Sequence, residues 1–231
     1  MKIIFHNIFH NMKKFLIFIG PPGSGKGTQA KKVSAKYGYK HVSTGDLLRN
    51  MINRTDLTDE EKVIINDSIQ LGKLAPDWFI LKLVFNVIEE NIFGQGVVFD
   101  GAIRTVNQAE ELQNYLEKKA LEKEFLAVAI MISDEEAFAR LTKRRVCEAC
   151  QEIIPWVGKA KDYIKCPKCG GNLKIRHDDN EEVIKDRIDR QGSVALQPIV
   201  DYYKNLNKLK IVDGMGTIEE VEVEVDRAIK S

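Results

Sequence analysis

The stretch Gly20-Pro21-Pro22-Gly23-Ser24-Gly25-Lys26-Gly27-Thr28 constrains this chain more than any other. It follows an apolar run, Lys14–Ile19, that reads as a buried strand, and it opens an amphipathic stretch from Gly25 to Tyr37 that reads as a helix. Glycines at this spacing let successive backbone N–H groups converge on anionic oxygens without obstruction by a Cβ. The positive end of the helix faces the same point, and Lys26 adds a full charge where β- and γ-phosphates would lie. Gly-x4-Gly-Lys is the spacing of a phosphate-binding P-loop, here with Gly27 beside the lysine where Ser or Thr is usual, and Thr28 one residue later. A strand–loop–helix unit of this kind predicts an α/β fold with a parallel sheet.

The remaining pattern agrees. His41–Val42, Val97–Asp100, Leu126–Ile132 and Lys210–Val212 read as further strands. Asp46–Arg54, Asp59–Leu71 (stopped by Gly72), Pro76 to Asn91, and Val106–Lys119 read as helices. Ser133 with Glu136 caps a helix expected to reach Arg145, and Thr217 with Glu220 caps the last one. Val146–Asp179 changes character, with four cysteines and little apolar periodicity, and reads as an insert. Residues 1–11 read as an N-terminal extension, with Met12 a second plausible start, and the absence of an export signal points to the cytoplasm. Basic and acidic side chains number 35 and 34, so whole-chain charge gives no support to nucleic acid as the main partner. No segment is apolar enough for a membrane span.

Cys147-x2-Cys150 and Cys166-x2-Cys169 stand fifteen residues apart, a spacing that reads as a tetrathiolate zinc site. Four protein ligands leave no open position, so such a Zn²⁺ is structural. Gly170-Gly171 suits the tight turn after the second pair. Buried free thiols or two disulfides are the competing readings, and a reducing compartment weighs against the second.

Several further motifs resemble one family in order. Gly27-Thr28-Gln29 after the lysine is similar to nucleoside monophosphate kinases. Ser43-Thr44-Gly45-Asp46-Leu47-Leu48-Arg49 and Asp100-Gly101-x-x-Arg104-Thr105 with Gln108 resemble the AMP-site segments of adenylate kinases. Arg140, Arg144 and Arg145 precede the cysteine insert, Arg176-x-Asp178-Asp179 closes it, and Arg187 follows, as in the long-lid, zinc-bearing members.

The resemblance implies phosphoryl transfer from Mg²⁺-ATP to AMP, giving two ADP, by a monomer. It implies a five-stranded parallel sheet flanked by helices, with core segments 12–42, 75–145 and 180–231, an AMP-binding arm 43–74 and a lid 146–179. ATP would lie on Gly23, Ser24, Gly25, Lys26, Gly27, Thr28, Arg140, Arg144 and Gly216, with Arg140 against the adenine. AMP would lie on Thr44, Arg49, Lys73, Leu74, Ala75, Gly101, Arg104, Gln108, Arg176 and Arg187. Of the expected catalytic residues, Lys26 would meet the β- and γ-phosphates, and Arg144, Arg176 and Arg187 would surround the moving phosphoryl. Arg104, with Arg49, would hold the AMP phosphate, and Gln108 would read the AMP base edge. Asp100, with Asp46 assisting, would orient waters on Mg²⁺. Arginine suits this work because its planar guanidinium stays charged and binds phosphate through paired hydrogen bonds.

Two departures stand out. Ala102-Ile103 replaces the family's Phe-Pro, which predicts a trans peptide or a strained cis bond there, and a looser AMP pocket. The lid centre lacks Asn-Pro-Pro. The alternatives are a kinase for UMP or CMP, separable by acceptor, and an ATP-dependent RNA-binding zinc ribbon using Lys159, Lys161, Tyr163, Lys165, Lys168 and Lys174.

Overall fold

The computed structural model describes residues 12–52, 54–70, 73–176 and 179–231. The expected extension 1–11, the stop at Gly72 and Asp178 lie outside the described residues. β1 (Phe15–Ile19) leads through the glycine loop into α1 (Lys26–Tyr37), then β2 (Lys40–Ser43), α2 (Thr44–Met51), α3 (Asp59–Gln70) and α4 (Asp77–Asn91). β3 (Val97–Asp100), α5 (Val106–Lys118), β4 (Phe125–Met131) and α6 (Asp134–Thr142) follow. Next come β5 (Arg145–Cys147), β6 (Ile153–Ile154) and β7 (Leu173–Ile175), then α7 (Glu181–Gln191), α8 (Ser193–Asn205), β8 (Leu209–Asp213) and α9 (Ile218–Lys230).

The main sheet has the order β2-β3-β1-β4-β8, and all its pairings are parallel. β1 is apolar at every position because both its faces are covered, as parallel sheets require. Phe15, Ile17 and Ile19 join a core with Phe79 and Val84 of α4, Leu112 of α5, and Leu196 and Tyr203 of α8. Leu16 and Phe18, on the opposite face, pack with Val33 of α1 and Val225 and Ile229 of α9. Register places Ser43 beside Asp100 and Met131 beside Asp213. The polar residues Ser43, Asp100 and Asp213 therefore gather at the carboxyl edge, where ligands bind in open α/β sheets.

Two expectations need correction. The helix starting after Ser133 ends at Thr142, not Arg145. Thr142 Oγ1 bonds back to the carbonyls of Phe138 and Ala139, and Arg145 instead pairs antiparallel with Ile154 and Ile175 in a small sheet of order β6-β5-β7. The second helix begins at Thr44, two residues early, because the Ser43 side chain accepts from the Asp46 N–H at 3.3 Å. At the far end of the insert the helix is capped by Asn180, whose Oδ1 accepts from Val183 N–H at 2.9 Å. The reciprocal box at Thr217 and Glu220 is present. Among the described residues no helix is long and apolar enough to cross a membrane.

Candidate active site

The glycine loop turns tightly against the end of β4 and the side of α6. A Cβ at Gly20 would lie 2.1 Å from the Ile130 carbonyl, and one at Gly23 would meet the Ala137 carbonyl and Leu141 at 3.3 Å. Gly23 and Gly25 hold φ of 83° and 93°, a region that L side chains avoid. Lys26 Nζ donates to the carbonyls of Gly20 (2.6 Å) and Pro21 (2.8 Å), so the loop itself aims the ammonium across its mouth. Burial pushes this lysine down to about 8; Asp100 opposes the shift, while Arg104, Arg187 and Arg144 add to it.

The unusual Gly27 has a direct cause. A Cβ there would stand 2.7 Å from Asp100 Oδ2, so the usual Ser or Thr would displace the carboxylate. His41 Nε2 lies 4.0 Å from the same oxygen, and burial lowers the pKa of His41.

From this cradle a cleft of about 710 Å³ runs to the opposite side of the sheet edge. All but two of the residues expected to hold nucleotide line it. Its floor carries Gly25, Lys26, Gly27, Thr28 and Asp100, and its far end Thr44, Arg49, Lys73, Leu74, Ala75 and Gln108. Arg104, Arg140, Arg144, Arg176 and Arg187 border it. The two outside are Ser24 and Gly216, which flank a side void of about 30 Å³ shared with Arg140.

The far end is organised by one carbonyl. Gly101, at φ 66°, accepts from the Thr44 hydroxyl and from Arg104 Nε, both at 3.0 Å. Gln108 is buried, and its Oε1 accepts from Arg104 N–H at 2.7 Å, which ties the base-reading candidate to the arginine. Arg49 folds over Gly45 and pairs with Asp46, so Asp46 is engaged by an arginine rather than by the cradle. Lys73 Nζ bonds Asp67 at 2.9 Å. Among the described residues there is no cis peptide bond, so Ala102–Ile103 is trans, and both side chains are buried.

Sequence reasoning underrated Asp179 and missed the roof. Asp179 is fully buried and binds Arg144 and Arg187. Ile153, Ile154, Trp156 and Lys159 of the insert line the cleft from above, and Glu152 reaches Lys31 of α1 at 2.8 Å. No local pattern marks these residues, because they face the cleft only once the insert is docked.

The four cysteines converge. Cys147 and Cys169 sulfurs are 3.5 Å apart, Cys150 and Cys166 3.6 Å, and all four lie within 4.8 Å of one another. These separations far exceed an S–S bond of about 2.05 Å and match the edges of a tetrahedron with metal–sulfur bonds of about 2.3 Å. The Cys150 N–H points at Cys147 Sγ and lowers that thiol to about 6, favouring the thiolate. Gly171 is required: a Cβ would come within 2.9 Å of Cys147 Sγ. The group could hold one metal ion.

A parallel sheet whose first strand feeds a phosphate cradle, with arginines ringing a cleft that continues past it, defines a P-loop phosphotransferase. The family model described as adenylate kinase matches residues 18–208. The chain is similar to the adenylate kinase of Archaeoglobus fulgidus (38% identical, over 93% of this chain and 97% of that one). It is similar also to those of Elusimicrobium minutum (41%, 93% and 97%) and Clostridium perfringens strain SM101 (38%, 89% and 94%). This chain belongs to the adenylate kinase family.

Proposed function

We propose that the protein moves the terminal phosphoryl group of ATP onto AMP, reversibly, giving two ADP. One observation carries this reading above others: a single cleft joins the lysine cradle to a second, arginine-bearing pocket, with four further arginines between and beside them. Two like-charged phosphate chains can lie end to end only where cations offset their repulsion, and phosphoryl transfer needs little beyond such positioning and charge stabilisation.

In this reading the donor phosphates rest on the N–H groups of Gly23–Thr28 and on Lys26, with the adenine between Arg140 and Gly216. AMP lies on Thr44, Gly101 and the backbone of Lys73–Ala75, its phosphate on Arg49 and Arg104 and its base on Gln108. Arg144, Arg176 and Arg187 meet the charge that spreads over the transferring group. Asp100, whose carboxylate sits where a side chain at Gly27 would reach, would orient waters on the Mg²⁺ that accompanies ATP, an ion that would neutralise phosphate charge. Zn²⁺ on Cys147, Cys150, Cys166 and Cys169 holds the insert in shape without touching phosphate. The protein works as a monomer in the cytoplasm.

A coupled assay of ATP against AMP, UMP, CMP and GMP tests the proposal. Turnover with AMP at least an order of magnitude above the others is expected. Preference for UMP or CMP would overturn the acceptor. Salt-sensitive RNA binding without AMP turnover would overturn the reaction.

A further inference from the structure

Arg145 belongs to none of the nucleotide contacts above, yet its surroundings are built around it. It is the first residue of β5, and its guanidinium points back beneath the segment that crosses the top of the cleft. Nη1 donates to the Tyr163 carbonyl at 2.6 Å, and Nη2 to the carbonyls of Ala160 and Lys161, both at 3.0 Å. Its planar face lies 5.2 Å from the centre of the Trp156 ring, and Lys143 Nζ stands 5.5 Å from the same ring. One side chain therefore fixes both the aromatic and the short helical turn 158–162 that follows it.

What it holds is the roof. Trp156, Val157, Lys159, Ala160 and Tyr163 all line the cleft. The turn also packs onto the core, since a Cβ at Gly158 would lie only 3.7 Å from Thr217 Cγ2, beside Gly216. Carbonyls in a turn this short have few intrahelical partners, and a cation that caps three of them supplies what the local backbone cannot. The guanidinium alone combines several donors in one plane with a face that stacks on an aromatic ring; a lysine ammonium does not.

We infer that Arg145 is a positioning residue for the donor nucleotide: it shapes the roof over the ATP end of the cleft without touching ATP. This rests on the donor site proposed above. The effect should fall on ATP and not on AMP, because the Gly101 and Gln108 pocket is built from other elements.

The test compares Arg145→Lys and Arg145→Met with the wild type, all in a Trp78→Phe background so that Trp156 alone reports. Emission of Trp156 is measured with and without ATP, alongside both Michaelis constants, kcat and bound metal. Expected in Arg145→Met is a KM for ATP raised about fivefold or more, the equivalent of losing at least one net hydrogen bond. KM for AMP should stay within about twofold and metal content unchanged. Trp156 emission should shift to the red and respond less to ATP, with Arg145→Lys intermediate. An unchanged KM for ATP with unchanged emission would overturn the proposal. So would a fall in kcat with both constants unaltered, which marks a contact to the phosphoryl group, or loss of metal in both variants, which marks a residue that only folds the insert. Wild-type turnover with AMP separately tests the reading beneath, and the Trp156 response to ATP judges Arg145 whichever acceptor proves correct.

Discussion

Asp179 receives two hydrogen bonds from Arg144, from Nε at 2.7 Å and Nη2 at 2.6 Å, with its own carboxylate wholly buried. Arg187 approaches the same carboxylate at 3.5 Å. The carboxylate thus draws together two guanidinium groups that would otherwise repel, at the point where the insert rejoins the core. A charge this deep is tolerable only when paired, and removing Asp179 takes both of these hydrogen bonds from the Arg144 guanidinium. Asp179→Ala should lower unfolding free energy by about 3 kcal/mol and reduce kcat, since Arg144 loses the carboxylate that orients it. Urea melts and steady-state kinetics check it. Unchanged stability would mean the arginines find other partners.

Lys26 predicts a pH dependence whose sign is fixed by its environment. Burial holds the free ammonium at about 8, so it is protonated below that pH and neutral above it. Triphosphate oxygens favour the protonated form, so binding raises the pKa. ATP affinity should be fully present below pH 8 and weaken as pH rises beyond it, with a proton taken up on binding near pH 9. Calorimetry in buffers of different ionisation enthalpy reads that uptake directly. Lys26→Met should abolish it and cost about a hundredfold or more in turnover.

Gly27 keeps a side chain away from Asp100. In Gly27→Ser the new atoms must displace the carboxylate, 2.7 Å from where a Cβ would stand. Activity should fall at least tenfold, an order-of-magnitude expectation for a misplaced charge near the reacting phosphate, while the melting temperature changes little. A variant as active as the wild type would show that Asp100 can work from a shifted position.

The cysteine cluster predicts one equivalent of zinc in purified protein. Cys166→Ser should lose metal and lower the melting temperature, leaving partial activity because no ligand reaches the cleft floor. Gly171→Ala is the sharper probe, since its methyl would crowd Cys147 Sγ at 2.9 Å without removing a ligand. Metal affinity should fall there too. Metal-free wild type with unaltered stability would refute the assignment.

Much of this was readable before any coordinates. The cradle and Cys-x2-Cys pairs are local: each needs residue types at fixed short spacings, and backbone sterics do the rest. The parallel sheet followed from the strand–loop–helix unit and from apolar runs that alternate with amphipathic stretches, the pattern of strands joined by crossover helices. The boundary at Arg145 was misread because a helical pattern continues past Thr142, while the interaction that ends it, pairing with Ile154 and Ile175, comes from residues far along the chain.

What the sequence by itself determined is chemistry held within a few consecutive residues: glycines that admit φ near 90°, a lysine after them, thiols two apart, apolar strands. What only the tertiary structure decided is which charges meet across the chain. Arg144 and Asp179 are 35 positions apart, Lys31 and Glu152 121 apart, and Gly27 is excluded from being serine by a carboxylate 73 residues away. Local spacing sets what a segment can bind. Distances between segments are set by packing of the sheet and the docked insert, and Coulomb and steric energies depend on those distances alone.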